Sequence, residues 1–212
     1  MLRKNALFIK LFKIKTPSFS FFRSFMDVFR PELETCPVCG QKSLRIHSYY
    51  GRTVTDFLNG RPTSVDVSVM RVKCESCGHT HAVLPDCIVP YSTHSLFFIL
   101  RVLTEYFLHL HSVMFLCERF QISVKRLYAW LHLFKRQKAH WLGILEDLSI
   151  SSRSFLTGLA RRDRFSDFAS DFYRLESRSF LQTHANPHLT DRKAAYSCQS
   201  IFSPDYSFEV TT

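Results

Sequence analysis

The chain has no uninterrupted apolar run. Its most hydrophobic stretch, residues 96–116, is broken by Arg101, Glu105, His109 and His111, which excludes an ordinary membrane-spanning helix. A signal-peptide core is also missing. Lys10, Lys13 and Lys15 interrupt the apolar residues near the N-terminus and no small-residue cleavage site follows, so the sequence reads as cytoplasmic. Acidic residues are scarce: 18 Asp and Glu stand against 28 Lys and Arg, a net charge of +10. That imbalance points to a polyanionic partner, nucleic acid or an anionic membrane surface. The seven cysteines are odd in number, so they cannot all pair within the chain.

Four of those cysteines organise the rest. Cys36-Pro37-Val38-Cys39 and Cys74-Glu75-Ser76-Cys77 are two Cys-x-x-Cys pairs, each followed by a glycine, Gly40 and Gly78. The two-residue gap lets both thiolates of a pair face one ion, and the glycine tolerates the positive φ that such a tight turn needs. Two such knuckles give a closed four-sulfur site suited to structural Zn²⁺. The alternative is two disulfides or four unrelated thiols. Paired Cys-x-x-Cys outside a secreted context favours the metal, leaving Cys87, Cys117 and Cys198 as scattered reduced thiols.

The fold class expected is α+β, a small β zinc ribbon followed by a mainly α-helical domain and a loop-rich tail. Residues 1–31 are a basic, phenylalanine-rich extension, readable as an arm along phosphates, an amphipathic surface helix or a poorly ordered segment. Residues 32–92 form the ribbon. Leu44 to Tyr50 is a strand, Gly51-Arg52 a turn and Asn59-Gly60 a hairpin turn, and the alternating Val65, Val67 and Val69 lead into Cys74. His47, His79 and His81 surround the cysteines as surface or outer-shell groups. Arg45, Arg52, Arg61 and Arg71 are scattered surface cations. Metal removal is expected to melt this ribbon and spare the helices.

Residues 93–150 are the helical domain. Residues 85–94 read as a linker ending in a helix cap, and a helix from Leu96 to about His109 places Leu96, Ile99, Leu100, Leu103, Phe107 and Leu110 on one face. Residues 112–134 read as a helix to Phe120, a turn at Gln121-Ile122-Ser123, and a second helix from Val124 capped by Ser123. Leu127, Trp130, Leu131 and Phe134 share its inner face, and Leu133 falls near the outer one. This is a helix-turn-helix pattern, although Gln121 replaces the usual turn glycine; a plain structural hairpin shares it. As a DNA reader its contact residues would be Ser123, Lys125, Arg126, Tyr128, Ala129, His132, Lys135, Arg136 and Lys138. Trp141 to Leu148 reads as a short further helix. Residues 151–212 are one or two helices and a loop-rich tail.

Taken together, Cys-Pro-Val-Cys-Gly at 36–40, His47-Ser-Tyr-Tyr-Gly-Arg52, Cys-Glu-Ser-Cys-Gly at 74–78, Leu84-Pro-Asp86 with Pro90-Tyr91, the hairpin at 112–134 and Phe180-Leu-Gln-Thr-His-Ala-Asn-Pro187 resemble a bacterial family of zinc-ribbon plus helix-turn-helix proteins of unknown function. That family looks like the DNA-binding front half of insertion-sequence transposases. The resemblance implies duplex DNA as partner, with a separate transposase or a second copy of the chain as further ones. A full transposase of this kind continues into an RNase H-like domain with three metal-binding carboxylates. Fewer than 80 residues follow the hairpin, too few for that domain, so a non-catalytic regulator or accessory factor is expected. Other readings are a remnant of a transposase, a zinc-ribbon module for RNA or protein, and an enzyme using Asp163, Asp167 and Asp171. The last set is interleaved with Arg161, Arg162 and Arg164, the pattern of a solvated helix face.

Overall fold

A computed structural model of the chain describes residues 7–11, 26–27, 29–85, 87–144, 150–160, 168–169, 171–173, 176 and 178–183. The expectations for Cys198, Asp163, Asp167 and the loop-rich tail beyond residue 183 lie outside them. The described elements are strands β1 (Leu7–Leu11), β2 (Leu44–Leu58), β3 (Arg61–Cys74) and β4 (Thr80–Pro85), then helices α1 (Leu96–Phe107), α2 (Val113–Phe120), α3 (Val124–Ile144) and α4 (Ser152–Ala160). This is an α+β arrangement. Among the described residues no helix is long and apolar enough to cross a membrane.

The sheet runs β1-β4-β3-β2. Its centre is a long antiparallel hairpin, with β2 paired to β3 from Leu58↔Arg61 down to Leu44↔Cys74. Asn59 and Gly60 both take left-handed φ, +52° and +78°, as a two-residue hairpin turn demands. The expected turn at Gly51-Arg52 does not form. Gly51 pairs with Ser68 and Arg52 with Val67 in mid-strand, and continuous cross-strand pairing outweighs the local turn preference of Gly-Arg. β4 adds antiparallel to β3 and parallel to β1. Part of the basic N-terminal extension is therefore a strand, with Leu7 opposite His81 and Leu11 opposite Pro85. Neighbouring β3 residues Val69 and Met70 point to opposite faces yet both are buried, so the middle of the hairpin is covered on both sides.

The expected linker at 85–94 is a docked segment. Cys87, Ile88, Val89 and Pro90 are buried. The Arg52 guanidinium donates to the Val89 carbonyl at 3.0 Å and to that of Ser92. The Thr55 N–H donates to Thr93 O at 2.7 Å, and the Ser95 N–H to Thr55 O at 2.9 Å. Arg52 is thus a structural clamp rather than a solvated cation, and its burial lowers its pKa.

Near the hairpin turn, Phe57 packs against Phe98 of α1 and Phe120 of α2, with ring centroids 6.4 and 4.8 Å away. Arg101 lies over the same ring at 4.6 Å, and Glu105, itself 7% exposed, pairs with Arg101 and Arg119 at 3.3 and 3.6 Å. α1 stops at Phe107, earlier than expected, and Leu110 is exposed instead of sharing the core face. The tail returns to the helical core. Phe134, Phe155, Phe168, Phe172 and Phe180 form a ring cluster with neighbouring centroids such as Phe168–Phe180 at 5.1 Å. The buried Gln137 fixes it, accepting the Leu181 N–H at 2.7 Å and donating to Gln182 O at 3.1 Å.

Candidate metal centre and the outer face of the long helix

The open end of the hairpin carries one cysteine pair in the loop before β2 and one at the end of β3. The two knuckles are built alike. Gly40 N–H donates to Cys36 O and Gly78 N–H to Cys74 O, both at 2.9 Å. Cys36 N–H donates to Gln41 O and Cys74 N–H to His79 O, again at 2.9 Å. Gly40 and Gly78 sit at φ +75° and +71°, the left-handed conformation that closes each turn.

This folding brings Cys36, Cys39, Cys74 and Cys77 together, their sulfurs all within 4.8 Å of one another. Among the described residues they are the one group of three or more His, Cys, Asp or Glu side chains that could hold a metal ion. Cys36 Sγ is 3.7 Å from Cys77 Sγ, and Cys39 Sγ 3.6 Å from Cys74 Sγ. A tetrahedral cation with metal–sulfur bonds of about 2.3 Å requires sulfur–sulfur edges of about 3.8 Å. The cluster therefore fits one four-coordinate metal. None of the four forms a disulfide, nor do Cys87 and Cys117, which are buried elsewhere.

The electrostatics of the cluster favour a cation. Burial pushes the Cys36 thiol up and the Cys77 thiol up to about 12, with the neighbouring sulfurs adding to the rise at Cys77. Burial acts the same way on Cys74, but the Ser43 hydroxyl at 3.1 Å, the Cys77 backbone N–H and the sulfurs of Cys77 and Cys39 bring it down to about 6. Four crowded sulfurs cannot all ionise unaided, and a bound cation reverses that balance. Of the three nearby histidines, His47 is exposed, half-buried His79 places Nδ1 3.2 Å from Cys77 O, and His81 is fully buried with Nε2 3.4 Å from Cys36 Sγ. Sequence reasoning named all three without separating them, and it missed Ser43. The burial of β4, whose residues 81–85 are all inside, makes the distinction.

The other predicted residues lie on or beside α3. α2 ends at Phe120, Gln121 takes the left-handed conformation at φ +50°, and buried Ile122 fills the turn. The Ser123 hydroxyl caps α3 by accepting the Arg126 N–H at 3.2 Å. Leu127, Trp130, Leu131 and Phe134 are buried as expected, and so is Leu133, which joins the helical core rather than the outer face. Ser123, Lys125, Arg126, Tyr128, Ala129, His132, Lys135 and Arg136 are exposed. Lys138 is half-buried, with burial lowering its pKa. α3 runs unbroken to Ile144, so the separate helix expected from Trp141 does not exist over the described residues. Half-buried His94, before α1, stands edge-on to Trp130 with centroids 5.0 Å apart, tying α3 to the hairpin segment.

Residues 36–115 match the model of a family described as a domain of unknown function (DUF6431). The matched stretch starts at the first cysteine of the cluster, takes in the hairpin and α1, and stops short of α3. No curated protein matches the chain. No solved structure matches it either.

Proposed function

We propose that the chain is a zinc-stabilised, non-catalytic DNA-binding protein, in which α2 and α3 form a helix-turn-helix and α3 enters the major groove. Four thiolates in a closed tetrahedral arrangement suit Zn²⁺, which is held without redox chemistry and with no open coordination position. The zinc does structural work, holding β2 and β3 at the open end of the hairpin.

One observation carries the DNA reading. The 21 residues of α3 contain no acid, and the residues that face outward include Lys125, Arg126, Lys135 and Arg136. At 1.5 Å per residue the helix is about 31 Å long, enough to cross a groove and reach phosphates beyond it. Lys125, Ala129, His132 and Arg136 follow the spacing of a single helical face, with Tyr128 beside them. On this reading Lys125, Tyr128, Ala129 and His132 meet base edges while Lys135 and Arg136 hold the backbone. The likeness to transposase DNA-binding regions agrees with this role and adds a separate transposase or a second copy as a further partner.

The test is selection of bound sequences from random duplex DNA using the zinc-loaded chain, followed by competition with structured RNA. Enrichment of one duplex motif that RNA does not displace supports the reading. No enrichment, or preferential displacement by RNA, overturns it in favour of an RNA-binding ribbon. Mg²⁺-dependent cleavage of plasmid DNA that disappears in Asp167→Ala would overturn the non-catalytic assignment.

A further inference from the structure

We infer that His81 is a positioning residue for the metal centre, donating its Nε2–H to the Cys36 thiolate and fixing the orientation of that ligand. The inference rests on the metal reading of the four cysteines, not on DNA binding.

His81 stands on β4 between β1 and β3, opposite Leu7 on one side and Val72 on the other. It is 0% exposed, and its Nε2 lies 3.4 Å from Cys36 Sγ. A thiolate bonded to a cation has no proton to give, so the contact runs one way: the imidazole donates and the sulfur accepts. That direction also sets the tautomer, with the proton on Nε2. The Val38 N–H reaches the same sulfur at 3.4 Å. Cys36 is 1% exposed, so water has almost no access to its charge, and protein donors, the Cys39 backbone among them, take water's place. The other fully buried sulfur, Cys74, is served by the Ser43 hydroxyl at 3.1 Å. Cys39 and Cys77 are half-buried and remain within reach of solvent. The imidazole and hydroxyl donors thus stand at the two sulfurs that solvent reaches least. This also accounts for a histidine in a strand whose other buried residues, Ala82 to Pro85, are apolar.

Groups of this kind next to a ligand typically change metal affinity by about 10–100-fold when removed. The experiment compares the full-length chain with His81→Leu and His81→Gln, loaded with Co²⁺ or with Zn²⁺ against a competing chelator. The expected result is a loss of about 10–100-fold in affinity for His81→Leu, a shifted sulfur-to-cobalt absorption band, and recovery of most of both in His81→Gln, which keeps an N–H donor. Unchanged affinity and absorption in His81→Leu overturns the inference, as does a folded His81→Gln no better than His81→Leu. If His81→Leu does not fold, the native chain decides. Long-range ¹H–¹⁵N correlations of the zinc-loaded, histidine-labelled protein should show the proton on Nε2, and a proton on Nδ1 alone overturns it. A native chain that binds neither ion instead sinks the metal reading itself.

Discussion

The Ser95 hydroxyl donates to Asp56 Oδ1 at 2.7 Å while it accepts the Phe98 N–H at 3.0 Å. A carboxylate on the cysteine-bearing hairpin therefore holds the cap of the first helix. Phe97 packs against both hydrophobic clusters, the one around the cysteines and the one between the helices. Asp56→Ala should cost about 1–3 kcal/mol, because it leaves a fully buried hydroxyl without its charged acceptor. Asp56→Asn should recover part of that loss. Chemical denaturation of the three proteins measures it, and an Asp56→Ala protein as stable as the native chain would show that the contact is idle.

Metal removal follows from the same joint. Cys36 and Cys74 belong to the hydrophobic cluster of the sheet, and that cluster is tied to the helices through Asp56, Arg52 and Phe57. Chelation should therefore lower the melting temperature of the helices as well, in one cooperative transition, contrary to a ribbon that melts alone. Cys36→Ser with Cys74→Ser should abolish stoichiometric metal and mimic chelation. Helical circular dichroism that stays unchanged after metal loss would separate the two parts.

Two substitutions on α3 should fail differently. Lys125→Ala should cost about 1–3 kcal/mol on a preferred duplex and relax the base choice there. Lys135→Ala should weaken all duplexes alike and reduce the salt slope by about one. Half-buried Lys138 should change the slope less than Lys135. The measurement is binding to specific and scrambled duplexes over a salt series, and identical behaviour of Lys125→Ala and Lys135→Ala would remove α3 from the groove.

His94 predicts an acid-side loss of stability. Burial, reinforced by Arg126, holds its pKa below the ordinary range. The folded state thus favours the neutral ring, packed on Phe98 and Trp130 with centroids 5.0 Å away in each case. Below about pH 6.5 the unfolded chain takes up the proton first. The contribution is complete above that pH and falls as the pH drops toward the lower folded value. His94→Phe should flatten this part of the stability profile below about pH 6.5. An unaltered profile would assign the slope to other groups.

Gln137→Leu should be more damaging than its conservative volume suggests. It leaves the Leu181 N–H and the Gln182 carbonyl without their side-chain partner in a buried site, at a cost of about 1–3 kcal/mol for each group left unmade. Thermal melts of Gln137→Leu and Gln137→Glu would show it, and a neutral effect would mean that the tail is not held there.

Local chemistry was the part legible in the sequence. The four cysteines, the Asn59-Gly60 turn, the Ser123 cap and the break at Gln121 each depend on a few adjacent residues, and each forms. The misreadings came from long-range packing. Gly51-Arg52 looks like a turn until fourteen residues of β3 pair alongside it. The segment before α1 looks like a linker until Arg52 and Thr55 bond its backbone. Leu133 looks exposed on a helical wheel, but it belongs to the same buried cluster as Phe155 and Phe180 of the returning chain. At the four-cysteine cluster the cysteines themselves were readable, whereas Ser43 and His81 reach them only through the tertiary fold.

The hairpin also counts its own residues. Fifteen residues of β2 lie beside fourteen of β3, and the register shifts between Ile46 and Ser48, leaving His47 as the surplus. Side chains alternate faces along a strand, and the bulge takes up the extra residue locally, so the buried Leu44 keeps its place opposite Cys74. A metal held by the four cysteines would clamp one end as the two-residue turn clamps the other. The pair of strands would then behave as a ruler fixed at both ends, with no freedom to slide past one another. Deleting the surplus His47 would leave fourteen residues facing fourteen with Leu44 still opposite Cys74, whereas a deletion elsewhere in the strand would have no bulge to draw on.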